Sequence, residues 1–260
     1  MKAETTTILL PRTVFEAGAE KDIEFESTLA DYLPNISRIV RADAEIVCDD
    51  VSISGGKAEV CGKAVFSLLY ESDYKKRLQG ERFTSDFCQK FDLRELPEGQ
   101  LFPVARARCS YVGCKTLNPR RFILRCRADI GLEIKCMQSA EIVSEADSKG
   151  AYFKSTQCKT AVYCPQIVRD FNMAESFTLD GLPPVREIIS ASLRFLPGEI
   201  SLSDGSALIR GDALFKCLYE EESEEEGCRL IERKYSAAFT VDDECLRSDS
   251  EVCCSITPKN

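Results

Sequence analysis

The sequence contains no histidine and no tryptophan among its 260 residues. Histidine is the usual proton-transfer group near neutral pH, so its absence excludes Ser-His-Asp and Cys-His catalytic groups. The sequence also lacks the glycine-rich phosphate loops of nucleotide-binding proteins and the G-x-S-x-G turn of hydrolases. Without tryptophan, a carbohydrate-stacking surface of the usual kind has little support. We therefore expect no enzymatic activity and no bound cofactor.

Long apolar runs are also missing. No segment approaches the roughly 18 apolar residues that a membrane-crossing helix needs. The apolar stretch near the start, Ile8 to Leu10, is too short for a signal peptide. The formal net charge of −9 disfavours nucleic acid, because binding it requires a basic surface. We expect a cytoplasmic protein with no nucleic-acid partner and no membrane insertion.

The sequence does contain an internal repeat. Residues 57–70, KAEVCGKAVFSLLY, match residues 206–219, SALIRGDALFKCLY, at an offset of 149 residues. Sixteen of the forty-five positions in 27–71 are identical in the second copy. Alternating apolar residues are typical of a strand with one buried face, and repetition at one offset indicates a duplicated domain. We predict two tandem all-β domains, residues 1–150 and 151–260, each an antiparallel sandwich or partly open barrel.

Two details refine this prediction. Gly62 and Gly211 interrupt the repeated strand at the same point, which predicts a bulge or a close backbone approach. Residues 122–136 form the most regular alternation in the chain and predict a strand with one wet face. The second copy has no counterpart of that strand, so we expect its domain to lack the last strand. The chain would then be a fragment of a longer protein, or another subunit would supply the strand.

The fourteen cysteines are expected to be reduced, small, buried apolar residues. Metal sites usually pair thiols two to four residues apart, and the sequence has no C-x-x-C. A structural disulfide would be expected in both copies, yet Cys61 is matched by Arg210 and Cys217 by Leu68. A disulfide framework and a metal site are the alternatives.

The two copies also differ in the loop that follows the repeated strand, where the second copy has an acidic run at residues 220–226, EEESEEE. Such a run is usually a solvated hairpin loop, and docking of a basic partner or weak cation binding is the alternative. The run lacks the spaced ligands and the glycine of a calcium loop. We assign no catalytic, cofactor-binding or metal-binding residue. The candidate interaction loop comprises Lys75, Lys76 and Arg77 in the first copy and Glu220, Glu221, Glu222, Glu224, Glu225 and Glu226 in the second.

Three features carry a resemblance to a known protein family: the strand pattern of residues 60–70 and 209–219, the Leu33-Pro34 pair, and the alternating strand after Arg120. The sequence resembles the SPOCS domain, the spore-coat-and-sporulation domain of clostridial endospore-forming bacteria. The resemblance implies a non-enzymatic structural protein of the mother cell, located at the forespore or spore coat surface. It also implies coat-morphogenetic proteins as partners. Some family members end in a LysM module, and this chain has no such segment.

Two other functions stay open at this point. A β-sandwich module could bind a ligand such as a cell-wall glycan, and a more distant alternative is a thiol-based metal or redox module. An open sheet edge would also permit self-association.

Overall fold

A computed structural model describes residues 2–147, 167–222 and 227–256. These ranges contain strands and no helix, so the predicted all-β fold is confirmed. The predicted domain boundary between residues 150 and 151 lies outside the described residues. The nine strands in these ranges are β1 (Lys2–Thr28), β2 (Ile36–Ser54), β3 (Lys57–Ser72), β4 (Leu78–Asp92), β5 (Leu101–Thr116), β6 (Arg121–Asp147), β7 (Val185–Ser203), β8 (Ser206–Glu221) and β9 (Cys228–Asp242).

The strands form three antiparallel sheets of three strands each, with no closed barrel among the described residues. Their orders are β1-β6-β5, β2-β3-β4 and β7-β8-β9. The third sheet is the repeat of the second, since β7, β8 and β9 have the same lengths as β2, β3 and β4. Contacts divide the chain into two compact units: residues 1–33, 42–67 and 82–165 form the first, and 34–41, 68–81 and 166–260 the second.

The core of the first unit lies between two sheets. Alternate residues of β6, from Phe122 to Cys136, are almost completely buried, as the alternation predicts. Aromatic rings from both sheets meet in this core. The ring centroids of Phe25 on β1 and Phe66 on β3 are 6.4 Å apart. Those of Phe83 on β4 and Phe122 on β6 are 5.1 Å apart. Such face-to-face contact between sheets is typical of a β-sandwich.

The other face of β6 is wet and charged. Its arginines face carboxylates on β1 because the two strands pair antiparallel with Arg125 opposite Glu24 and Arg127 opposite Asp22. The guanidinium groups donate to these carboxylates at 2.7 and 2.8 Å. Exposed ion pairs of this kind add little stability each, so the buried face holds the sheets together.

The close backbone approach predicted at the mid-strand glycines is confirmed. A Cβ atom built on Gly62 would lie 2.1 Å from the carbonyl oxygen of Val47 on β2. In the second copy, a Cβ on Gly211 would lie 2.4 Å from the carbonyl oxygen of Leu196 on β7. Any side chain at either position would clash with the backbone of the neighbouring strand.

The prediction that all cysteines are reduced is wrong for one pair. Cys61 of β3 and Cys88 of β4 form a disulfide. The buried cysteines do behave as small apolar residues, and Cys217 packs in a core cluster with Tyr219 and Ile231. The comparison between copies predicted a reduced thiol at Cys61 and was wrong there, because this side chain points away from the core. Outward positions of the duplicated strands are free to differ.

Candidate functional site

The basic part of the predicted interaction loop is a tight turn between β3 and β4. Lys75 and Lys76 adopt φ angles of 55° and 58°, in the left-handed region that non-glycine residues rarely occupy. The backbone N–H of Ser72 donates to the carbonyl oxygen of Arg77 at 2.8 Å and closes the turn. The ammonium group of Lys76 lies 3.4 Å from the carboxylate of Glu71. These contacts give the turn a defined conformation.

The first residue of the acidic run is buried in an ion-pair cluster. Glu220 is only 3% exposed. One of its carboxylate oxygens accepts a hydrogen bond from Arg186 at 3.1 Å and lies 3.2 Å from Nε of Arg77. The two loops that the sequence presents as separate features therefore meet within the second unit. We call Arg77, Arg186 and Glu220 the buried ion cluster.

The rest of the acidic run is only partly solvated in the described part of the chain. Glu221 accepts a hydrogen bond from Arg229 at 2.5 Å, and its side chain is mostly shielded from solvent. Glu222 is exposed, and its backbone N–H donates to the carbonyl oxygen of Pro184 at 2.9 Å. Glu224, Glu225 and Glu226 lie outside the described residues. The beginning of the run thus contributes to packing rather than forming a free loop.

The start of β4 packs closely against β7 in the second unit. A Cβ atom on Gly80 would lie 1.9 Å from the carbonyl oxygen of Ile189, so only glycine fits there. Burial raises the pKa of the neighbouring Glu81, and the charge of Glu187 raises it further. Together with the buried ion cluster, this contact anchors the Lys75–Arg77 turn to the second-copy sheet. Sequence reasoning missed it because the partners are more than a hundred residues apart.

A second chemical group lies on the outward face of the β2-β3-β4 sheet. The Cα atoms of Cys61 and Cys88 are 4.1 Å apart, which places the residues directly opposite each other on neighbouring strands. The next outward pair along the same strands is Glu59 and Lys90, whose charged groups are 3.6 Å apart. A carboxylate oxygen of Glu59 and both sulfur atoms lie within 4.8 Å of one another. The three groups could hold a metal ion only after reduction, because thiolates are the ligands.

Four buried or half-buried free cysteines are poor nucleophiles. Burial raises the pKa of the Cys114 thiol to about 11 and that of the Cys126 thiol to about 12. Burial also raises the pKa of Cys48 and Cys217. The thiolate is the reactive form, so a raised pKa lowers the reactivity of these side chains at neutral pH.

The inner face of the β7-β8-β9 sheet is covered differently from its first-copy counterpart. In the described part of the second copy, residues 167–179 and 250–256 are irregular and form no covering sheet. Two aromatic residues of the first irregular segment contact the face: Phe171 lies 4.9 Å from Phe239 and Phe177 lies 5.8 Å from Phe215, measured between ring centroids. Leu193, which pairs with Phe215 on this face, is still 40% exposed.

The concave surfaces offer little to a small ligand. One shallow groove runs across the middle of β1, β6 and β5, and a second crosses β7, β8 and β9 near Gly198 and Gly211. Neither groove is lined by an aromatic side chain, and both are open to solvent.

Comparison with known proteins adds no relative: no family model, no curated protein and no solved structure matches this chain. The described residues contain no helix that is long and apolar enough to cross a membrane.

Proposed function

We propose that this chain is a non-enzymatic structural protein that works by protein–protein contacts in the assembly of the endospore coat or envelope. The proposal draws its cellular setting from the resemblance of residues 60–70, 209–219 and 120–136 to the SPOCS domain. It draws its mode of action from the structure, whose described part offers extended sheet surfaces and two shallow, open grooves. Coat-morphogenetic proteins of the mother cell are the proposed partners.

One observation carries the proposal, and it comes from comparing the two copies of one sheet. In the first copy, Phe66 of β3 is completely buried under the β1-β6-β5 sheet. The equivalent Phe215 of β8 is only partly buried, because irregular chain alone covers that face among the described residues. Most of this face is buried, and apolar side chains that stay partly exposed on it mark a place where a partner protein can pack. Leu193 adds exposed apolar area to the same face.

The sheet edges support the same function. Among the described strands β7 lies at one edge of its sheet, and its Val185, Ile188 and Leu196 are between 39% and 61% exposed. An edge strand offers unpaired backbone donors and acceptors to an added strand. Apolar side chains along such an edge contribute area that an added strand would bury. A second copy of this chain could use the same edge for self-association.

Site-specific photo-cross-linking in sporulating cells tests the proposal. A photoreactive amino acid at Leu193, on the inner face of β7, should produce discrete cross-links to coat proteins. The matched control is Arg194, the next residue on the same strand, whose side chain points to the opposite face and should give weak or no products. Equal products at both positions, or none at either, would contradict the proposal. Co-sedimentation of the purified protein with peptidoglycan would instead favour the glycan-binding function.

A further inference from the structure

We propose that the Cys61–Cys88 disulfide is a thiol–disulfide exchange site, which reacts reversibly with small thiols such as glutathione while the protein stays folded. The proposal is independent of the function proposed above. It rests on where the pair lies, what surrounds it and what the second copy has in its place.

The pair is accessible to a reagent in solution. Cys88 is exposed and Cys61 is half-buried, and both point to the outward face of the sheet. A disulfide that a thiol can reach is the kind that exchanges, whereas structural disulfides are usually protected from reductants. The buried cysteines of the first unit, such as Cys126, cannot compete because burial raises the pKa of their thiols.

The sheet holds the two residues in place without the covalent bond. Cross-strand ion pairs continue the ladder on one side of the cysteines, with Glu59 opposite Lys90 and Lys57 opposite Asp92. The second copy forms the same ladder with no disulfide: Arg210 pairs with Ala238 at the equivalent positions of β8 and β9. Reduction should therefore leave the strands paired and the sulfur atoms close enough to re-form the bond.

The charges around the pair are mixed. Lys63 lies two residues beyond Cys61 and Lys90 two residues beyond Cys88, while Glu59 and Asp86 lie two residues before them. Alternation along a strand places residues two apart on one face, so all four charged groups share the outward face with the sulfur atoms. Lys90 is paired with Glu59, whose carboxylate is close to both sulfur atoms, so Lys63 is the cation whose effect on the exchange can be tested.

The reaction balances as a two-electron exchange with two thiol molecules. The thiolate of the first molecule attacks the exposed sulfur of Cys88. The disulfide breaks, and the sulfur of Cys61 leaves as a thiolate that takes up a proton. A second thiolate then attacks the small-molecule sulfur of the mixed disulfide, which releases Cys88 as a thiolate and forms the oxidised small-molecule disulfide. The protein disulfide is reduced to two thiols, and two small thiols are oxidised.

The test incubates the full chain in glutathione buffers of varied ratio, traps free thiols with an alkylating reagent and quantifies Cys61 and Cys88 by mass spectrometry. We expect both residues to convert together and reversibly, with unchanged far-ultraviolet circular dichroism. A bond that survives millimolar reduced glutathione until urea unfolds the protein would overturn the proposal. So would a pair that stays reduced in oxidised glutathione.

Variants separate an exchange site from an accessible structural bond. Cys61→Ser should leave Cys88 able to form a stable mixed disulfide with glutathione, and the polar Arg210 at the equivalent second-copy position indicates that the strand tolerates this change. Lys63→Gln should slow the reaction with anionic glutathione about threefold and reduce its salt dependence. Cys253→Ser, at an exposed free cysteine outside the pair, is the matched control and should change neither the rate of the reaction with glutathione nor its salt dependence. An unchanged rate in Lys63→Gln would remove the assigned role of that lysine.

Discussion

Replacing Glu220 by glutamine tests the buried ion cluster directly. The substitution keeps the shape of the side chain and removes the negative charge, so the guanidinium groups of Arg77 and Arg186 lose their shared counter-ion. Removing one partner of a buried ion pair typically costs 3–5 kcal/mol. Both arginine side chains are partly exposed, at 24% and 34%, so water offsets some of this loss. We expect the free energy of unfolding to fall by about 3 kcal/mol.

The repeat supplies a matched control in Glu71, which occupies the position equivalent to Glu220 in the first copy. Its carboxylate pairs with Arg38 and Lys76, but it is more exposed and its partners lie largely in solvent. Glu71→Gln should therefore cost less than about 1 kcal/mol. Urea denaturation followed by circular dichroism measures both variants. Equal losses in the two variants, or a loss below about 0.5 kcal/mol for Glu220→Gln, would refute the reasoning.

Three further predictions use similar comparisons. Tyr70→Phe should lower the free energy of unfolding by about 1 kcal/mol, because the hydroxyl donates to the carbonyl oxygen of Pro34 at 3.3 Å. Tyr219→Phe should leave the free energy of unfolding unchanged, since that buried hydroxyl has no partner among the described residues. In the same unfolding assay, Gly80→Ala should lower the free energy of unfolding by about 1–3 kcal/mol, because the added methyl group clashes with the β7 backbone. Alanine at a strand glycine whose Cβ position meets no close atom should not have this effect. The raised pKa of Glu81 means that the native state binds its proton more tightly than the unfolded state, so ionisation opposes folding. Glu81→Gln should therefore stabilise the protein at pH 7 by a few tenths of a kcal/mol, and the gain should vanish well below pH 4. A Tyr219→Phe loss equal to that of Tyr70→Phe, a harmless Gly80→Ala, or a pH-independent Glu81→Gln would contradict these predictions.

The strands were predictable because alternation in this sequence is strong and occurs twice. The buried residues of β6 and the inward residues of β3 follow from a period of two along each strand. The mid-strand glycines could be interpreted because Gly62 recurs as Gly211, and a position that stays glycine in both copies indicates that no side chain fits. Local pattern, together with the comparison of the two copies, was sufficient for these features.

The candidate sites depended on long-range register, which local pattern does not contain. Cys61 and Cys88 become neighbours only through the pairing of β3 with β4, and nothing near either cysteine indicates the other. Glu220 belongs to a run of acidic residues that is typical of a solvated loop, yet Arg77 and Arg186 bury it. Comparing the copies was informative for core positions and misleading for outward ones, since outward positions change freely between copies.

The most direct test of the central claim is the location of the protein in sporulating cells of an endospore-forming host. A fluorescent fusion should concentrate around the developing forespore, because the proposed partners assemble there. A variant with Leu193→Glu on the inner face of β7 should fold, since the side chain is 40% exposed, but remain in the mother-cell cytoplasm. Diffuse fluorescence of the unmodified protein throughout sporulation would contradict the account.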